Sequence, residues 1–166
     1  PFAVDPRQRE LIAAAWTVGT LANLLDHERT ASITCFEVAG WKGLFSETAV
    51  AHPGFPALTR EIFPVYHVFA ALGQGTRLRQ THCTPRLAWI HYETMEGADK
   101  LLVANLEGNI QPIILRGACR PFRAATLHEG TLAAFRAQEN PLPTEPSSSP
   151  DLLELPPYAV MFGEFA

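Results

Sequence analysis

Leu11, Ala15, Val18, Ala22 and Leu25 recur every three or four residues, which places them on one face of a helix, while Arg7, Gln8, Glu10 and Thr17 fall largely off that stripe. Asp5 before Pro6 supplies a capping carboxylate and a residue preorganised for the first helical position, so the spacing predicts a helix over 6–25. Asp26 to Arg29 read as a polar connection. Residues 31–38 are β-branched and aromatic and carry no charge before Glu37, the composition of a strand covered on both faces. Gly40 to Gly43 turns the chain, and a loop containing Gly and Pro runs to about Thr59. A second helix is predicted from Pro64, with Val65, Val68, Phe69 and Leu72 inward and its end at Gly73 or Gly75. Helix, strand, long loop and helix form the order found at the end of a parallel (β/α)8 barrel.

From Arg77 onward the period shortens. Residues 87–92, 100–105, 110–115 and 121–127 read as strands, separated by turn-like Glu96 to Asp99 and Glu107 to Asn109. Thr131 to Gln138 is a short helix, 140–150 is a Pro- and Ser-rich segment unable to build a core, and 152–155 and 158–162 are closing strands. The expected fold is therefore α/β followed by all-β. Residues 1–76 read as the last strand and helices of a (β/α)8 barrel, and 77–166 as a C-terminal antiparallel β-sandwich.

Length sharpens this picture, because 166 residues are too few for a whole barrel of about 250. The start without Met, with a helix signal almost at once, fits a fragment whose remainder completes the barrel. Alone, strand 31–38 and the two helices would leave unpaired edges and apolar surface, and self-association into a homo-oligomer would be expected. A net charge of -4, with Lys and Arg scattered, argues against a nucleic-acid partner. No apolar run approaches the roughly 18 to 20 residues that span a bilayer, so no membrane partner is expected either. Cys35, Cys83 and Cys119 have neither zinc nor disulfide spacing and read as reduced, mostly buried thiols of a cytoplasmic protein.

Glu37 stands where a barrel strand ends, the face on which such barrels do chemistry, and can exchange a proton or bind a sugar hydroxyl there. The alternative is an ion-paired or loop-capping carboxylate. Trp41 can floor a carbohydrate pocket or simply close the barrel top, and Lys42 reads as solvent-facing. Asp5 and Arg7 fall at the same mouth, although helix capping accounts for Asp5. Tyr66 and His67 lie off the second helix's stripe and read as packing or hydrogen-bonding residues. The histidines lack ligand spacing, so no metal is expected, and no P-loop, dinucleotide or nucleophile-elbow motif points to a cofactor.

Three stretches taken together carry a resemblance: Asp5 to Gln8 leading into Ala13 to Thr17, Thr34 to Gly43, and Phe63 to Val68. They resemble the D-apionate lactonase family, whose barrel is similar to those of retaining glycoside hydrolases. Leu102 to Leu106 and Leu155 to Val160 resemble inner and final strands of the β-sandwich that follows such barrels. The likeness covers roughly 5–160, and Glu37-x-x-Gly-Trp-x-Gly43 is its most specific element. It implies an enzyme of sugar or sugar-acid catabolism that opens a lactone with water and a carboxylate base. In the similar glycosidase barrels the catalytic carboxylates end the fourth and seventh strands. Both positions precede Pro1 if 31–38 is the eighth strand, so the catalytic residues stay unassigned. Glu37 and Trp41 carry over as substrate-binding residues only, and Cys35 stands where relatives are expected to have an aromatic residue. Three readings remain open: a sugar-lactone hydrolase, a retaining glycosidase with carboxylates about 5 to 5.5 Å apart, and a non-catalytic sandwich that braces a barrel or holds glycan on Trp89 or Tyr92.

Overall fold

The computed structural model describes residues 5–26, 30–46, 60–115, 122–137 and 152–165. A 3-10 turn, Pro6–Arg9, leads into α1, Leu11–Leu25. A short antiparallel pair, β1 (Phe45–Ser46) and β2 (Glu61–Ile62), precedes α2, Pro64–Leu72. Strands β3 (Gly75–Cys83), β4 (Leu87–Thr94), β5 (Asp99–Asn105), β6 (Gln111–Ile113) and β7 (Phe122–Leu127) follow. Then come α3 (Leu132–Ala137), β8 (Leu153–Leu155) and β9 (Val160–Phe165). The large sheet has the order β3-β4-β5-β9-β7, with every pair antiparallel, and β6 pairs with β8 in a second, two-stranded sheet.

The central strands of the large sheet are covered on both faces. On one face lies α1, whose buried Ala14, Ala15, Val18, Leu21 and Ala22 share a core with Ile90 and Tyr92 of β4, Leu102 and Ala104 of β5, and Phe162 of β9. Small residues on the helix and Ala88 and Ala104 on the sheet let the two backbones approach. Gly19 belongs to the same fit, because a Cβ there would stand 3.2 Å from the Leu106 methyls. On the other face Ile113 and Leu155 of the small sheet pack with Leu101, Val103, Phe122 and Met161. Strand β5 is thus sandwiched, which explains its unbroken apolar run, whereas β4 alternates strictly between half-buried and buried positions. Fully burying one such aliphatic side chain is worth ~1.5–3 kcal/mol and one hydrogen bond about 1 kcal/mol net. Apolar contact is therefore what holds α1 to the sheet.

One polar group is built into this interior. Asn105, fully buried at the end of β5, reaches the carbonyls of Asn109 (2.6 Å), Leu155 (3.1 Å) and Pro156 (2.8 Å) with Nδ2 and accepts from the Glu107 amide at 2.9 Å. It fixes the 105–109 turn against the end of β8. At the opposite end, Tyr92 donates to the Ala71 carbonyl at 3.0 Å, joining the sheet to the end of α2, and burial pushes its phenol pKa up. His67 of α2 is 4% exposed and donates from Nε2 to the Phe135 carbonyl of α3 at 2.8 Å, with its ring edge-on to the Phe135 ring.

Several expectations are met: α2 and its end at Gly73, strands β4, β5 and β7, the short α3, and the closing strands around Pro156-Pro157. Others need correction. Residues 31–37 form no strand; Ile33 and Phe36 are half-buried and the rest of 31–38 is exposed. Strand propensity needs a ladder partner, and among the described residues the only pairing nearby is an isolated bridge from Ala39 to Phe45. The predicted helix over 6–25 is divided, with the 3-10 turn before α1. Thr17 is buried, its hydroxyl satisfied by the Ala13 carbonyl of its own helix at 2.6 Å. Cys35 and Cys83 are exposed rather than buried, the first on the unpaired segment and the second at the end of an edge strand; Cys119 lies outside the described residues. Strand β3, mostly exposed and polar, was not expected as a strand. The expected loops after Ser46 and over 140–150 lie outside the described residues. Among the described residues no helix is long and apolar enough to cross a membrane, and no cluster of three metal-ligating side chains occurs.

Two outcomes follow from the buried polar groups. Asn105→Ala should cost about 2–4 kcal/mol in urea unfolding, since buried carbonyls and the Glu107 amide lose their partner. Burial lowers the pKa of His67 from 6.5, outweighing the raising effect of its bond to the Phe135 carbonyl. Its folded pKa lies below its unfolded value, so the unfolded state takes up the proton first and stability falls as pH drops below about 6.5. Midpoints measured from pH 7.5 to 5 should show this loss in the wild type and a smaller slope in His67→Gln.

Candidate functional site

The motif Glu37-x-x-Gly-Trp-x-Gly43 closes as a tight loop. The Glu37 amide donates to the Lys42 carbonyl at 3.0 Å, Leu44 to Val38 at 3.0 Å, and Gly43 to Gly40 at 2.9 Å. Gly40 has φ 89°, which a side chain disfavours, and a Cβ on Gly43 would run into the Ala39 backbone. Both glycines are therefore required by geometry. The Glu37 side chain is exposed, Lys42 is half-buried, and Trp41 is 7% exposed in an apolar cluster with Phe63, Val65 and the half-buried Phe36. Trp41 forms the floor on which the loop rests.

The 3-10 turn meets this loop. Gln8 Nε2 donates to the Gly43 carbonyl at 3.0 Å, a contact 35 residues apart in sequence. Asp5 Oδ1 accepts from the Arg7 amide at 2.9 Å, and the Arg7 guanidinium folds back on the same carboxylate, with Nη2 2.6 Å from Oδ2. The Arg7 side-chain bond holds the Asp5 carboxyl below its usual range, and Asp5 raises the Arg7 pKa. Asp5 is thus the cap that its sequence position suggested. The structure brings Asp5, Arg7, Cys35 and Phe36 together around a cleft of about 380 Å³ running along α1 past Trp16 and Thr20. Glu37 adjoins it. The rim therefore offers the paired Asp5 carboxylate and Arg7 guanidinium above an apolar wall, an arrangement suited to a small hydroxylated ligand.

A second cleft of about 500 Å³ lies beside β1 and β2, lined by Ser46, Arg60, Glu61, Tyr66 and Arg136 among others. Behind it Arg9 Nη2 is 2.8 Å from Glu61 Oε1, and Arg136 Nη2 donates to the Arg9 carbonyl at 2.8 Å. Sequence reading missed this cluster. Arg9 and Arg136 are 127 residues apart, and no local pattern announces their meeting. Tyr66 lines the cleft, whereas its neighbour His67 serves the core.

A family model described as the D-apionate lactonase TIM barrel domain matches residues 2–77, and one described as the D-apionate lactonase C-terminal immunoglobulin-like domain matches 86–162. No curated protein matches the chain in sequence. Among solved structures, the GH51 arabinofuranosidase from Xanthomonas axonopodis pv. citri superposes with TM-score 0.52 at 12% identity, covering 96% of this chain and 36% of that one. A trehalulose synthase mutant in complex with Tris gives TM-score 0.37 at 15% identity, covering 57% of this chain and 15% of that one. The chain thus spans well under half the length of these relatives. The helices ahead of a two-sheet antiparallel unit are the end of a TIM barrel followed by an immunoglobulin-like sandwich, and the chain belongs to the D-apionate lactonase family.

Proposed function

We propose that this chain is the C-terminal part of a carbohydrate-active hydrolase that opens a sugar lactone, with residues 1–76 ending its barrel and 77–166 forming its sandwich. The observation that carries the reading is the rim at which the Glu37–Gly43 loop and the 3-10 turn are tied by the Gln8 to Gly43 bond. Family membership supports this reaction class. In that reaction a water oxygen attacks the lactone carbonyl, the ring C–O bond breaks, the ring oxygen leaves as a hydroxyl, and a base removes the water's proton to leave a carboxylate. Glu37 acts here as a substrate-binding acceptor for a sugar hydroxyl. Trp41 supports the pocket floor from within its apolar cluster.

Likeness to an arabinofuranosidase fold supports glycoside hydrolysis as a second reading. For the sandwich, bracing is supported over glycan binding. Both faces of the sheet's central strands are covered, Tyr92 is buried, and Trp89 is half-buried against the second core.

Proton release by the intact protein on D-apionate lactone, followed by pH-stat, should show turnover, with no release of nitrophenol from a nitrophenyl arabinofuranoside. Glu37→Gln should raise KM on the order of 10-fold with a smaller change in kcat, the loss of one charged hydrogen bond to substrate. Arabinoside cleavage without lactone opening would overturn the lactonase reading, and an unchanged KM would remove Glu37 from the pocket.

A further inference from the structure

The second cleft carries chemistry that the proposed activity does not use. Its described lining shares no residue with the rim cleft. Arg60 lines it as an exposed cation without an ion-pair partner among the described residues, and the Tyr66 hydroxyl makes no hydrogen bond among them. Arg136 presents a second guanidinium from α3, anchored through Nη2 to the Arg9 carbonyl and 3.7 Å from Glu10 Oε2. Glu61 lines the same space with a side chain only 10% exposed.

The cations at this cleft are only partly neutralised. Arg9 Nε and Arg136 Nε are buried without a hydrogen bond, while Glu61 Oε1 is ion-paired to Arg9 Nη2 at 2.8 Å. These atoms are closed off from the cleft, so what it offers a ligand is the exposed Arg60 guanidinium and the part of Arg136 that lines it. Charge narrows what that ligand is. Arg9, Arg60 and Arg136 outnumber Glu10 and Glu61, so the cluster favours one negative charge. Glu61 inside the cleft would repel a phosphate dianion, yet it is an acceptor for hydroxyls, as the Tyr66 oxygen is for a hydroxylated chain. A volume of about 500 Å³ exceeds what a bare carboxylate such as acetate fills.

We propose that this cleft is a binding site for a small polyhydroxylated carboxylate, a sugar acid, with its carboxylate on Arg60 and Arg136 and its hydroxyls on Glu61 and Tyr66. Guanidinium groups suit this role because their planar donors match a carboxylate in pairs. Binding here requires no turnover, so the assignment stands or falls separately from the lactonase reading.

Calorimetric titration of the intact protein tests it, with sodium D-gluconate as probe and sorbitol, acetate and inorganic phosphate as controls. Gluconate should bind at millimolar concentration, and each control should bind at least about 10-fold more weakly. Arg60→Gln changes an exposed side chain and should leave the thermal midpoint in place while weakening gluconate about 10-fold. Arg136→Lys, which keeps the charge and loses the planar fork, should also weaken it. Absence of gluconate binding, equal binding by sorbitol, tighter binding of phosphate, or unchanged affinity in Arg60→Gln would each overturn the proposal.

Discussion

The close fit of α1 on the five-stranded sheet is the constraint from which the rest of the arrangement follows. Ala14, Ala15, Val18, Leu21 and Ala22 fill the face that Ile90, Leu102 and Phe162 would otherwise expose. The sheet then has a second side to cover, and the β6–β8 pair does so through Ile113 and Leu155. Helical and β parts of the chain therefore share one core, and the barrel-end helix is as much a part of the sandwich's stability as its own strands.

That shared core also positions the rim. Because α1 is fixed on the sheet, the 3-10 turn at its start is held in place, and Gln8 can reach the Gly43 carbonyl. From the other side, α2 is held by the Tyr92 bond to Ala71 and by His67 on α3. Arg136, one residue beyond the His67 acceptor, closes the circuit by binding the Arg9 carbonyl. A displacement of α3 would thus be felt at the 3-10 turn through a single residue's contacts. Both clefts depend on this circuit, one at each side of the turn.

Much of this was legible in the sequence wherever one physical pattern dominated. Strand β4 alternates because one of its faces is more deeply covered than the other, β5 is continuously apolar because both are, and α2 begins with Pro64 and ends at Gly73. The Gly40 and Gly43 positions of the motif are explained by backbone geometry alone. Legibility failed where pattern and context part. Residues 31–38 have strand composition without a ladder to join, and β3 has a ladder without strand composition, its exposed Arg77, Arg79 and Gln80 suiting an edge. Thr17 reads as polar surface but is buried with its hydroxyl satisfied internally. The Arg9, Glu61 and Arg136 cluster comes from three distant segments and leaves no periodic trace.

Native-state hydrogen exchange on the intact protein tests the shared core most directly, by following the amides of α1 from Ala14 to Ala22 and those of β5 from Leu101 to Asn105. If helix and sheet are one cooperative unit, both sets exchange through a common opening, with equal free energies and equal dependence on denaturant. Exchange of the α1 amides through an opening several kcal/mol less costly, while β5 stays protected, would mean that the sheet stands without its helix and would contradict the account.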